Sequence, residues 1–339
     1  MTLRGRYDCL LADLDGTLYR GKGAIPGAAD ALERAALRVM YVTNNASRSP
    51  DAVAEHLREL GFTADATDVV TSAQAAAIVL ADAVPPGGSV LVVGAQALED
   101  EVRNVGLKPV RSAQPQPDAV VNGHSTETAW PILAEASFAI RAGATWIAAN
   151  ADRTLPVERG LAPGNGAIVA ALVAATDRTP VVAGKPAAPI MADALRRSGA
   201  RNALVVGDRL DTDIEGANTA ALDSFFVLTG VSTVDDLLRA KPAQRPTYVA
   251  FDLDALNRPL AADGRWSAHF DGTDIVLRGT GDAASALAAV APLAWANPGF
   301  GVVRPDGTYA ADVLAQWESR QSSAPIGAAT LPAPAAGIG

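Results

Sequence analysis

Short apolar runs alternate with amphipathic stretches of helical period through most of this chain, and that rhythm restricts the fold more than any other feature. Residues 9–15 (CLLADLD) precede a helical pattern at 27–38. Residues 39–45 (VMYVTNN) precede another at 49–61, where Ser49 reads as the N-cap and Pro50 as the first helical residue. Further on, a helical stretch at 188–199 leads into the apolar run 202–208, and 214–223 leads into 224–230. Residues 246–253 read as a last strand. Nearly continuous apolar strands bridged by helices predict a parallel sheet covered on both faces, an α/β fold. Between the two blocks, strands at 89–94, 118–123 and 145–150 alternate with helices of their own, which predicts an inserted domain. The 339 residues suit two domains with an appended piece.

Composition removes several classes of function. Against 28 basic residues stand 37 acidic ones, a net charge of −9 that argues against a nucleic-acid backbone binder. The apolar run 166–176 is too short for a membrane span, and the amino-terminal segment is not expected to act as a signal peptide. Three scattered histidines disfavour a zinc site, and the single cysteine, Cys9, fits a reducing compartment such as the cytoplasm.

Chemistry concentrates where strands end. Asp13 and Asp15 in DLDGT stand one residue apart at the end of the first strand, beside a turn permitted by Gly16. Carboxylates placed there can divide phosphoryl transfer between attack on phosphorus and handling of the leaving group's proton. Thr43, Asn44 and Asn45 close the second strand with a hydroxyl, an amide and backbone N–H groups able to hold phosphate oxygens. Lys185, between Gly184 and Pro186, supplies one cation. Asp208, Asp211 and Asp213 in GDRLDTD offer hard oxygen ligands suited to Mg²⁺. No P-loop string is present, and APGNG at 162–166 reads as a turn before a helix.

In this order DLDGT, TNN, GKP and GDRLDTDI resemble the four motifs of the haloacid dehalogenase-like (HAD) phosphatases. The strings LYRGKGAIPGA and NADRTLPVERGLAPGNG resemble the subgroup IIA with a large α/β cap, which includes phosphoglycolate, nitrophenyl-phosphate and actinobacterial glycerol-3-phosphate phosphatases. The resemblance implies a Rossmann-like core at 1–72 and 180–257 and an α/β cap at 73–179. It implies that Asp13 is the nucleophile of an aspartyl-phosphate mechanism and Asp15 the general acid and base. Mg²⁺ would be held by Asp13, the Asp15 carbonyl and Asp208, with Asp213 acting through water and Asp211 exposed. Thr43, Asn44, Asn45 and Lys185 would bind the phosphoryl group. The substrate would be a small phosphorylated metabolite. Glycerol 3-phosphate comes first, then phosphoglycolate, then pyridoxal phosphate or nucleotides. A second copy of the chain, met through the cap, is a candidate partner, and a sensor of a phosphorylated ligand is the non-enzymatic alternative.

Substrate choice is expected to lie in the cap stretch 151–159, with Asp152, Arg153 and Glu158, while His124 reads as structural. Residues 263–320 form an α+β extension, with strands at 266–270 and 274–277 and a helix at 282–296. Its RGTGDA string (278–283) is similar to the coenzyme A-binding string of GNAT acetyltransferases, in a piece short for one, and the extension is read as a GNAT-like fragment used for packing or regulation. Residues 321–339 are expected to be a disordered tail.

Overall fold

The computed structural model describes residues 2–157, 159–260, 265–319 and 329–330. The chain divides into two compact units, residues 1–40 with 198–339 and residues 41–197.

In the first unit the strands Cys9–Ala12, Ala203–Gly207, Asp223–Val227 and Tyr248–Ala250 pair in parallel in that order. Only Asp223 among their residues is exposed, as continuous apolar runs require of a sheet covered on both faces. The Asp13 N–H donates to the Val206 carbonyl at 2.8 Å, so the ladder continues past Ala12 and sets the direction of the loop after it.

The extension belongs to this unit. Arg265–Phe270 and Ile275–Thr280 form a hairpin, and Val303–Asp306 adds in parallel to its second strand. The helices Ala283–Ala296 and Thr308–Ser319 complete it. The hairpin and the first helix follow the expectation from the sequence, and the last strand and helix add to it. Val303–Asp306 carries a proline and two charges, which conceal a strand. Thr308–Ser319 does show helical spacing, in Ala310, Val313, Leu314 and Trp317. Phe226, Leu237 and Val249 share one hydrophobic cluster with Trp266, Leu277, Leu287, Phe300 and Trp317. Each large side chain so buried contributes on the order of 1.5–3 kcal/mol.

Of residues 321–339, only Ala329–Thr330 lies among those described, and it pairs antiparallel with Tyr248 and Val249. The edge of a parallel sheet offers unsatisfied backbone groups that two residues of any composition can meet. The rest of the expected tail lies outside the described residues.

The second unit holds a parallel five-stranded sheet in the order Val181–Val182, Thr145–Ala148, Ala119–Asn122, Ser89–Val93, Lys108–Val110. The helices Trp130–Arg141 and Asn165–Thr176 cover a cluster that includes Leu91, Val120, Ile140, Trp146 and Leu172. Residues 41–43, the end of strand Arg38–Thr43, pair with Val69–Thr71. Ser49 caps Pro50–Glu59, its Oγ accepting from Ala52 N at 3.2 Å. Val181–Val182, which leads to Lys185, pairs in parallel with Ile147–Ala148. Within and just beyond the stretch 151–159, Thr154–Val157 and Gly160–Pro163 pair as an antiparallel hairpin. Gly160, which pairs with Val157 and has a φ of +123°, opens the return strand.

Candidate active site

The carboxylates of Asp13, Asp208 and Asp213 come together in the first unit, with one oxygen from each within 4.8 Å of the others. Each is placed by a strand end. Asp13 follows Cys9–Ala12 directly. Asp208 follows Ala203–Gly207, and the π-helical turn Leu210–Ile214 brings Asp213 back beside it. Arg209 N donates to Asp213 Oδ2 at 3.1 Å, fixing the turn. Val231 N donates to Asp208 Oδ2 at 2.6 Å, and the buried Thr17 hydroxyl lies 3.2 Å from Asp208 Oδ1 and 3.4 Å from Asp13 Oδ2. The last residue of DLDGT is therefore a bridge between two carboxylates, a role the sequence reading did not give it.

Glycines line this cluster because nothing larger fits. A Cβ on Gly16, whose φ is +90°, would lie 2.5 Å from Asp208 Oδ2, and one on Gly207 would lie 2.3 Å from the Asp213 Cβ. Burial, then the Asp13 and Asp213 charges, push Asp208 up to about 8. Three acidic side chains held this closely suit a hard divalent cation, whose oxygen ligands at about 2.0–2.6 Å place facing donor atoms some 4–5 Å apart. Asp15 is exposed and lies outside the cluster; its Oδ2 accepts from the Tyr19 hydroxyl at 3.3 Å. Asp211 is exposed and ion-paired with Arg209 at 2.8 Å.

The second unit gathers the remaining candidates. Lys185 is 3% exposed, and its ammonium donates to the Val42 carbonyl at 3.0 Å. The Asn44 side chain pairs with the Lys185 backbone in both directions. Its Oδ1 accepts from Lys185 N at 2.8 Å and its Nδ2 donates to Lys185 O at 3.1 Å. That Nδ2 also reaches Asp152 Oδ1 at 3.2 Å. Thr43 Oγ1 accepts from Asn45 N at 3.1 Å, and Asn45 Oδ1 accepts from Ser47 N and Arg48 N, closing an Asx-type turn. His124 contributes its backbone carbonyl to the Ser47 hydroxyl at 2.7 Å. Arg153 is exposed, and Glu158 lies outside the described residues.

Residues 10–108 match the haloacid dehalogenase-like hydrolase family, residues 182–256 the HAD-hydrolase-like family, and residues 263–318 the GCN5-related N-acetyltransferase-like domain. The chain is 50% identical over 319 residues to a D-glycerol 3-phosphate phosphatase of Mycobacterium tuberculosis, covering 93% of this chain and 87% of that one. This chain belongs to the haloacid dehalogenase-like hydrolases. An acid sugar phosphatase of Staphylococcus aureus is 39% identical across 74% of this chain and 96% of its own. A glycerol phosphate phosphatase of M. tuberculosis, solved in complex with magnesium, superposes with a TM-score of 0.89 at 49% identity, covering 94% of this chain and 98% of that chain.

In this HAD hydrolase the RGTGDA string of the GNAT-like extension leads into a capped helix. The Asp282 carboxylate caps the helix Ala283–Ala296, accepting from Ser285 N at 2.8 Å and from the Ser285 hydroxyl at 2.7 Å. The position where a pyrophosphate would meet the helix N-terminus thus holds an anion already. The Trp266 indole N–H donates to the Asp282 carbonyl at 3.2 Å, and a Cβ on Gly281 would come within 2.6 Å of that nitrogen. The glycine lets the tryptophan close over the turn.

Proposed function

We propose that this chain is a Mg²⁺-dependent phosphatase that hydrolyses glycerol 3-phosphate to glycerol and phosphate. The observation that carries the reading is the glycine-lined triad of Asp13, Asp208 and Asp213, in a HAD hydrolase that shares half its residues with a D-glycerol 3-phosphate phosphatase. Asp13 attacks phosphorus as the bond to the glycerol oxygen breaks, and Asp15 gives that oxygen its proton. Asp15 then takes a proton from the water that attacks the phosphorylated Asp13, which releases phosphate and restores the carboxylate. The Tyr19 hydroxyl on Asp15 Oδ2 orients the acid for both steps.

Thr43, Asn44 through its backbone N–H, Asn45 and Lys185 bind the transferring phosphoryl group. Asp13, Asp208 and the Asp15 carbonyl would hold Mg²⁺, with Asp213 reaching it through water, and the ion would lessen the repulsion between an anionic nucleophile and a dianionic ester. Cap residues choose the ester, and the polar pair Asp152 and Arg153 favours a small hydroxylated leaving group over a flat aromatic one. A second copy is met through the cap, where Trp130 is 78% and Phe138 60% exposed on one helix. The one thiol, Cys9, is buried and suits the cytoplasm. No helix among the described residues is long and apolar enough to cross a membrane.

The deciding experiment compares kcat/KM for glycerol 3-phosphate, phosphoglycolate, pyridoxal phosphate and nucleoside monophosphates, with Mg²⁺ and with EDTA. Activity is expected to vanish in EDTA and in Asp13→Asn. A ten-fold preference for another ester, about 1.4 kcal/mol in transition-state binding, overturns the substrate assignment.

A further inference from the structure

The second unit contains a buried chain of amides to which the catalytic reading gives no role. It begins at the Trp146 indole, which donates to Asn122 Oδ1 at 2.8 Å. Asn122 Nδ2 donates to Asn165 Oδ1 at 2.9 Å, and Asn165 Nδ2 donates to the Asn150 carbonyl at 2.7 Å. Asn150 Nδ2 donates in turn to the Asn44 carbonyl at 2.6 Å. The Ser72 hydroxyl, at the start of helix Ser72–Ala83, meets that same carbonyl at 2.6 Å. Asn122, Asn150, Asn165 and Ser72 are all buried. Buried amides cost stability unless every partner is met, and here each link has one.

What the chain holds is a single peptide. The Asn44 carbonyl is fixed by two donors, and the Asn44 side chain grips the backbone of Lys185 on both its N–H and its C=O. Strand order alone does not supply this grip, because Val181–Val182 ends three residues before Lys185. A Cβ on Gly184 would lie 2.7 Å from Asn44 Oδ1 and 2.6 Å from the Ala149 carbonyl, so only glycine lets the amide close on the lysine.

We propose that Ser72 and Asn150, backed by Asn165 and Asn122, are positioning residues that act through Asn44 to hold Lys185 where it binds the phosphoryl group. This inference rests on the reading of Lys185 as a phosphate ligand. Neither Ser72 nor Asn150 touches phosphate in this scheme. Their effect passes through a hydrogen-bonded path in which Ser72, Asn150, Asn165 and Asn122 are buried and Asn44 is half-buried.

The test is a double-mutant cycle on the full-length chain, read as the Kd for inorganic phosphate by calorimetry in Mg²⁺, with melting followed on each variant. Ser72→Ala and Asn150→Ala are each expected to weaken phosphate binding about ten-fold, the scale of one lost buried hydrogen-bond partner. Neither is expected to weaken it further once Lys185 is alanine. Ser72→Ala keeps a good helix residue at a helix start, so it stays folded if the larger Asn150 change does not. Phosphate affinity unchanged in Lys185→Ala would sink the lysine assignment and this inference with it. A clear loss in Lys185→Ala, with Ser72→Ala unaltered or additive to it, would sink the positioning role alone.

Discussion

Gly230→Ala offers a test of the metal cluster that leaves every carboxylate in place. A Cβ at this position would stand 1.8 Å from Asp208 Oδ2, 2.3 Å from its Cγ and 2.7 Å from its Cβ. Real Cβ contacts do not fall below 3.0 Å, so the Asp208 carboxylate must retreat by about 1.2 Å. It cannot retreat by rotation alone, because the clash includes its own Cβ, and it is fully buried and held by Val231 N and Thr17. Metal–ligand distances tolerate about 0.2 Å, so a displacement several times larger should remove Asp208 from the coordination sphere or drag the neighbouring loop with it. Perturbing the surroundings of a ligand costs about 10–100-fold in metal affinity, and losing the ligand costs at least that. Overpacking should add about 1–3 kcal/mol of destabilisation. The assay is calorimetric titration with Mg²⁺ beside thermal melting. Gly299→Ala is the control, because a methyl there meets nothing within 4 Å. If Gly230→Ala binds Mg²⁺ within two-fold of the parent, the cradle argument fails.

The buried Cys9 thiol is pushed up to about 11 from an ordinary 9.0, chiefly by burial. The unfolded chain therefore loses that proton first, and up to about 3 kcal/mol of stability present below pH 9 is lost between pH 9 and 11. Denaturant melts of Cys9→Ser against the parent across that window check it, and parallel pH slopes would refute it. Trp266→Ala should cost about 3–5 kcal/mol in guanidinium unfolding, because the ring lies in a cluster shared by the sheet and the extension. A cost under 1 kcal/mol would mean the extension packs loosely. Coenzyme A should not bind measurably to the intact chain, since Asp282 already caps the helix Ala283–Ala296. Tight calorimetric binding abolished by Arg278→Ala would restore a coenzyme role.

The legible parts of this chain were those where one local rule decides the outcome. Apolar runs of four or five residues read as buried parallel strands, and the carboxylates that follow them were found because a strand end and an acidic residue are both visible in one short string. Thr17, Ser72, Asn122 and Asn165 were not found, although all are buried and polar. A threonine in a turn, a serine at a helix start and an asparagine at a strand end each have an ordinary local explanation. Their actual partners lie far along the chain: Thr17 meets Asp208 across 191 positions, and Asn165 meets Asn122 across 43. Periodicity carries no information at such separations. Asn165 shows the difference most directly. Its string, APGNG, supports a turn before a helix, and Asn165–Thr176 is that helix. Yet its side chain points inward to Asn122 and the Asn150 carbonyl. Gly166 allows this, since a Cβ there would stand 2.3 Å from the Ala151 carbonyl. A glycine beside a polar residue at a helix start can therefore mark close approach to another segment as well as a turn.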